Sequence, residues 1–343
     1  MIYIYFFIAL FIFSFSKGKS VLYKVSLFAI LCLTCFRAQH IGVDTADGYL
    51  SYFTSIKSNI YLGFVEPGWI LLNKFSILLG LDYQGVLILS GILTLLPISY
   101  VIQRTCKNQS YALAIYYGMY FVLNSYNLMR QMIAISFTLL AIFFYIKKKY
   151  SLSIFWFILG LSFHKSIIVI LPIICFLRLK AIRYSKILIL IIISFIGGLL
   201  LSDSFFFLIS GSYSHYFLNS GSLAGFRNSL LKPALLALAF DAFFLFLIYF
   251  NYKIIRSDPW FLVSLLGVIV MNLTMRMGQG TRIVLYFSQA QMICLSNHLQ
   301  NIKPYNNKII LNIVYISYLM INFMRILINQ WESLNPYRFF WSM

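Results

Sequence analysis

The sequence predicts an all-α fold: a polytopic bundle of about twelve transmembrane helices, with interfacial helices in the loops of one side. Three observations carry that expectation. The chain is 61% hydrophobic and 10% charged, with a mean hydropathy of +0.86, whereas a soluble domain carries about 25% charged residues. Its apolar runs recur at membrane-spanning lengths with short polar breaks between them. Its basic residues also sort by side, as membrane topology requires. No stretch is polar enough for a separate soluble domain, so residues 1–343 read as a single integral membrane domain.

A helix needs about 20 apolar residues to cross the hydrocarbon. Runs of that kind lie near 2–16, 21–36, 84–102, 108–124, 128–146, 150–163, 166–179, 187–203, 233–252, 259–275, 282–299 and 308–328. The first has Lys17 and Lys19 after it and no basic residue before it, the reverse of a secretory signal, so it is expected to stay as a helix. The pair 150–163 and 166–179 is short enough to be bent or re-entrant. Pro233 and Pro259 stand where helices begin, where a missing N–H costs nothing. Pro67 to Gly80 is too short to cross comfortably and carries Asn73 and Lys74, which makes it an amphipathic helix lying along the surface.

With that segment on the surface the loop charges separate cleanly. One side gathers fifteen basic residues, the run Lys147, Lys148, Lys149 among them, against the single acid Asp258. That side is cytoplasmic by the positive-inside rule. The other side holds the longer loops, about 37–83 and 204–232, with seven arginines, four lysines and six of the eight acids. Lysine suffices for topology, whereas arginine adds a rigid fork matched to phosphate or carboxylate. The net charge of +19 does not point to nucleic acid, because the basic residues sit between apolar runs and form no continuous face. Topology and phosphorylated membrane lipid account for it.

The candidate chemistry gathers on the outer side. Arg37 ends the second apolar run and leads into RAQHIGVDT, which closes on Asp44 and Thr45; Arg130 sits in NLMRQ before Gln131. Arg276 and Arg282 flank the turn RMGQGTR. An ionisable group at such a depth needs a partner or a wet cavity. Each arginine taken singly also reads as a side chain snorkelling to the interface, but four on one face point to a shared anionic ligand. His164, in GLSFHKSII, is either a backbone-capped turn residue or a neutral imidazole suited to proton transfer. The four histidines lack metal-ligand spacing, and no metal or cofactor is expected. Asp241 is the one acid predicted deep in the bilayer, in LALAFDAFFLF, with an ion role or a polar partner as its two readings. The five cysteines, including the Cys32 and Cys35 pair, lie mostly inside apolar runs and read as packing. Nucleophile elbows and P-loops are absent.

The spaced pieces form an ordered series: Arg37, then IGVDT ending at Thr45, Tyr49 and Phe53, Glu66-Pro67-Gly68, NLMRQMIA from Asn127, Phe163-His164-Lys165, RIVLYF from Arg282 through Tyr286, and PYRF from Pro336. This series resembles the EpsG family, grouped with Wzy-type O-antigen and exopolysaccharide polymerases. The resemblance runs through most of the chain and is weakest over 183–275. It implies a glycosyltransferase of the bacterial inner membrane, joining undecaprenyl-pyrophosphate-linked oligosaccharide units at the periplasmic face. Donor and acceptor would both be lipid-linked, and a chain-length regulator is a candidate partner. On that reading Arg37, Arg130, Arg276 and Arg282 hold the pyrophosphate, with Gln131 and Tyr286 beside the substrate. Asp44, Glu66 and His164 compete for the base, with the acids favoured and His164 placed on the pyrophosphate or the acceptor. A lipid-linked oligosaccharide flippase and a membrane acyltransferase are the alternatives.

Overall fold

A computed structural model describes residues 2–16, 19–60, 62–179, 181–201, 231–250, 255–277 and 280–342. The predicted outer loop 204–232 lies outside the described residues except for its last two positions. Among the described residues the fold is helical throughout, with one isolated bridge between Arg37 and Phe339.

Two compact units account for the contacts. The first comprises Met1–Ile168, Leu295–Asn297 and Tyr305–Met343. It opens with α1 (Ile2–Phe15), α2 (Lys19–Cys35), a π-turn at Thr45–Tyr49, α3 (Leu50–Lys57) and α4 (Pro67–Leu78). It continues with α5 (Tyr83–Thr105), α6 (Gln109–Gly118), α7 (Phe121–Asn127), α8 (Met129–Ile146) and α9 (Tyr150–Phe163). The second unit, Val169–Cys294 with His298–Pro304, holds α10 (Pro172–Leu177), α11 (Tyr184–Leu200), α12 (Leu231–Tyr249), α13 (Pro259–Leu273) and α14 (Gly280–Ser288). After α15 (Ala290–His298) the chain rejoins the first unit through α16 (Tyr305–Asn329) and α17 (Trp331–Leu334).

Among the described residues three helices, α5, α8 and α16, are long and apolar enough to cross a membrane. Most of the other predicted crossings are apolar helices of 10–17 residues. The sequence reading merges pieces that the backbone breaks. Its run 108–124 divides at Met119 and Tyr120, where Tyr120 takes a left-handed φ of 53° between α6 and α7. Gly118, just before the break, leaves room for the Phe7 ring and Leu319, which would crowd any β-carbon there. The run 282–299 also divides, at Gln289. The loop read as 37–83 is half helical, since it holds α3 and α4.

In the first unit α5, α6 and α8 form the core, with Tyr111 to Tyr117 of α6 almost wholly enclosed. Pro97 lies inside α5 and removes the N–H that would pair with the Leu93 carbonyl. The Ser136 hydroxyl of α8 donates to that carbonyl at 3.0 Å, so a neighbouring helix supplies the bond that the proline takes away. Caps set the helix starts: Asp82 accepts from Gln84 N at 2.8 Å, and Asn108 accepts from Tyr111 N at 3.1 Å. Leu71, Phe75 and Leu78 of α4 face outward, as do Ile154, Phe155 and Ile158 of α9. Apolar faces of that extent suit lipid rather than water.

In the second unit α11 packs on α13, and Gly198 makes the approach possible, since a β-carbon there would overlap the Asn272 carbonyl. Pro259 opens α13 as the sequence predicts, and Asp258 caps it by accepting from Trp260 N at 2.9 Å. Ile189, Ile192, Ile193 and Ile196 lie exposed on α11.

Candidate functional site

The first unit carries Arg37, Asp44, Glu66, Arg130, Gln131 and His164, and the second carries Arg276, Arg282 and Tyr286. The first unit brings most of the recurring sequence pieces together, and the local chemistry explains how.

Gly42 is the pivot of the IGVDT stretch. Its φ of +115° lies where L side chains are strained, and a β-carbon would meet the Tyr126 carbonyl oxygen at 2.7 Å. The turn therefore wraps the NLMRQ segment: Val43 N donates to Asn127 Oδ1 at 2.6 Å, while Asn127 Nδ2 donates to Gln330 Oε1 at 3.0 Å. Thr45 closes the turn onto the Gly42 carbonyl, and the Tyr83 hydroxyl donates to Thr45 O at 3.4 Å. Asp44 is thereby fixed just ahead of the π-turn that presents Tyr49.

Glu66 precedes Pro67 in extended backbone, and Pro67 starts α4. Gly68 is held backbone to backbone against Ser162, whose carbonyl oxygen would lie 2.7 Å from a β-carbon. The Glu-Pro-Gly start thus packs on the end of α9, two residues before His164. Sequence spacing gives no sign of this contact.

At the centre Arg130 Nη1 meets Glu66 Oε2 at 2.5 Å, with the arginine side chain 18% and the glutamate 6% exposed. The guanidinium carbon lies 5.4 Å from the Tyr52 ring centre and 5.9 Å from that of Tyr49. Cation–π contacts of this kind gain strength when water is excluded. Trp69 backs Tyr49 at 5.0 Å, and Phe64 backs Tyr52 at 5.8 Å. Burial pushes the Tyr49 phenol above its usual range, with Arg130 opposing the rise and the Asp44 charge adding to it. Arg130 Nε is buried and has no acceptor among the described residues, so the fork keeps a donor in reserve.

His164 leaves α9 in extended backbone. Ser166 N donates to Nδ1 at 3.3 Å, and Ser166 Oγ lies 2.7 Å from the same nitrogen. An accepting Nδ1 puts the proton of the neutral ring on Nε2. Gln131 is buried beside Arg130.

Arg37 is fully enclosed. It donates to Thr34 O at 2.6 Å and to Met129 Sδ at 3.2 Å, and its guanidinium lies 4.7 Å from the Tyr126 ring centre. Its backbone pairs with Phe339, Ala38 N donates to Arg338 O at 2.9 Å, and Gly42 N donates to Ser333 O at 3.0 Å. Arg37 stands behind the site, against the residue that precedes Arg130.

In the second unit Arg276 Nη1 donates to Leu199 O at 3.3 Å and Leu201 O at 3.2 Å. It caps the carbonyls that end α11, which a cation does well. Arg282 is half-buried in the first turn of α14, and Tyr286 is fully buried one turn on.

Sequence reasoning missed two groupings. Tyr49 and Tyr52, three residues apart, frame Arg130. In the second unit Asp258, Cys294 and His298 bring potential ligand atoms within 4.8 Å of one another. The signal was there in the four-residue spacing of Cys294 and His298, which puts both on one helix face. The Asp258 Oδ2 to His298 Nε2 contact of 2.6 Å, with the α13 cap, explains the lone acid of the basic side. All five cysteines are free thiols; Cys35, Cys106 and Cys294 are buried as packing residues would be, Cys32 is half-buried and Cys175 is exposed.

Apolar helices with exposed aliphatic faces around a buried Arg–Glu pair define a helical membrane protein. The chain belongs to the EpsG family, whose profile matches residues 20–339, a family of Wzy-type polymerase-like proteins. Comparison with curated proteins and with solved structures gave no match.

Proposed function

We propose that this chain is a glycosyltransferase that polymerises undecaprenyl-pyrophosphate-linked oligosaccharide units into O-antigen or exopolysaccharide. It would work as a single membrane body of about twelve crossings, in the inner membrane with the site facing the periplasm. The observation that carries the reading is the Arg130–Glu66 pair, framed by Tyr49 and Tyr52 and assembled from the pieces the family shares.

The chemistry follows from that pair. A hydroxyl oxygen of the acceptor unit attacks the anomeric carbon of the donor chain. The bond from that carbon to the pyrophosphate oxygen breaks, and undecaprenyl pyrophosphate leaves with the electron pair. In the resting arrangement Arg130 neutralises Glu66. An incoming pyrophosphate offers better-matched oxygens to the guanidinium, including the unused Nε–H. Engaging them frees the Glu66 carboxylate, which then takes the proton of the acceptor hydroxyl. Asp44 is the second acid in reach of this role, through its effect on Tyr49. His164, with its proton on Nε2, is a donor for the pyrophosphate or the acceptor. Fixed donors of this kind lower the barrier by about 3 to 4 kcal/mol each. Arg37 is read as holding Met129, and hence Arg130, in place. Tyr49, Tyr52 and Gln131 offer rings and an amide to sugars.

Complementation of a deletion strain tests the reading, with polymer length resolved on a gel. Wild type restores the long ladder, and Arg130→Ala or His164→Ala leaves single repeats on the carrier. Full-length ladders from both variants sink the proposal. Repeats trapped inside the cell identify a flippase, and unchanged length with altered decoration identifies an acyltransferase.

A further inference from the structure

Within the second unit one buried carboxylate has no ion-pair partner among the described residues. Asp241 sits midway along the apolar helix α12 and is 4% exposed, and among the described residues it forms no ion pair. Its neighbour is the Asn272 amide, whose Nδ2 lies 3.0 Å from Asp241 Oδ2 and 3.2 Å from Oδ1. Ser194 Oγ lies 3.1 Å from the same nitrogen and Ile191 O lies 3.5 Å away. An amide nitrogen has two hydrogens, so four oxygens crowd a group able to serve two. Ser194 cannot make up the shortage, because its hydroxyl donates to Ile191 O at 2.9 Å. At the same time Asn272 Oδ1 is buried and has no donor among the described residues. The cluster therefore holds more acceptors than hydrogens and carries one net negative charge.

Backbone geometry adds to that imbalance. Asn272 is next to the last residue of α13, where the helix dipole presents its negative end. Gly198 lets α11 close onto the Asn272 carbonyl, which a side chain would prevent. Ends of this kind, with backbone carbonyls nearby, hold sodium ions or protons inside other membrane proteins. Turning the amide about its own axis exchanges nitrogen for oxygen. Oδ1 then lies where the nitrogen lay, 3.0 to 3.5 Å from the carboxylate, the Ser194 hydroxyl and the Ile191 carbonyl, and a positive occupant reconciles those oxygens. A single carboxylate balances one positive charge, whereas a divalent ion would leave the apolar interior charged.

We propose that Asp241, Asn272, Ser194 and the Ile191 carbonyl form a binding site for one monovalent cation, either a proton or a sodium ion. α13 faces Asp241 with the Asn272 amide, which α11 meets in turn with the Ser194 hydroxyl, and with no ion pair to Asp241 among the described residues the occupant supplies the missing charge. This site is independent of the Arg130 chemistry.

The full chain, purified in detergent, tests this with two readouts. The first is the thermal midpoint at constant ionic strength, with sodium exchanged for choline at mildly alkaline pH. The second is the infrared band of a neutral carboxyl group and its shift on deuteration. Sodium occupancy raises the midpoint by about 2 to 4 °C at saturating ion. Asp241→Asn abolishes the rise, and Ser194→Ala, which keeps the carboxylate, reduces it. Proton occupancy leaves the midpoint indifferent to sodium, but gives a deuterium-sensitive carboxyl band at neutral pH that Asp241→Asn removes. A protein with no sodium response and no neutral carboxyl band overturns the proposal, as does a sodium response that Ser194→Ala leaves whole.

Discussion

Two buried acids in two regions of the molecule are balanced in different ways. In the first unit Glu66 stands at the head of a short helix and meets the guanidinium of Arg130. In the second unit Asp241 lies mid-helix and, among the described residues, meets the Asn272 amide, whose nitrogen also meets the Ser194 hydroxyl. The first acid has its counter-charge built in, on a side chain that also faces aromatic rings and keeps an unused donor. The second is left for a small ion to complete. Fixed pairing suits a site where a large anion displaces one partner from the other, whereas an oxygen-only cluster suits a ligand no larger than its own gap.

The largest effect comes from breaking the fixed pair. Arg130→Ala strands a buried carboxylate, which costs about 3 to 5 kcal/mol, and chemical denaturation in mixed micelles reads the loss. Adding Glu66→Ala removes the stranded charge, so the double variant regains most of that stability while polymer remains absent. Recovery of polymer along with stability would mean that the pair is a structural brace and nothing more.

Next in size is Gly68→Ala. Its β-carbon is driven into the Ser162 backbone, and overpacking of this kind costs about 1 to 3 kcal/mol. Polymer length falls more than stability, because the shift separates Glu66 from the His164 segment. A smaller loss, about 0.6 to 1.7 kcal/mol, is expected for Ser136→Ala, which leaves the Leu93 carbonyl beside Pro97 without its donor. That change lies away from both acids and leaves the polymer ladder intact.

The smallest effect is a pH dependence. Tyr49 is raised above its ordinary value, so its neutral form is the one the fold favours. The stability it contributes is complete below a pH of about 10, the value for an unfolded tyrosine. It is lost as the pH climbs from there toward the folded value. Alkaline denaturation curves of wild type and Tyr49→Phe should therefore diverge only on that limb, with the phenylalanine variant falling later.

The apolar spans were legible because a bilayer imposes length and hydropathy on consecutive residues, which a sequence displays directly. α1, α2, α5, α8 and α13 lie within a few residues of the predicted runs. The break at Tyr120 was not legible, since both sides of it are equally apolar and only the packing of Gly118 against Phe7 and Leu319 marks it. The outer arginines were found, but their company was not. Arg276 ends a helix, and Arg37 is walled in by a carbonyl, a thioether and a ring. Pattern alone cannot separate these from Arg130, because a partner 64 residues away leaves no local trace. Asp241 was singled out correctly as buried, whereas its neighbours Ser194 and Asn272 lay in the stretch where the resemblance is weakest.

One consequence follows from the pairing of Arg37 with Phe339 and of Gly42 with Ser333. Synthesis runs from the amino end, so the turn bearing Asp44 emerges long before the residues that lace it down. Until that late segment arrives, the turn leans on Asn127 and Tyr83, and the backbone partners of Arg37, Ala38 and Gly42 are still to come.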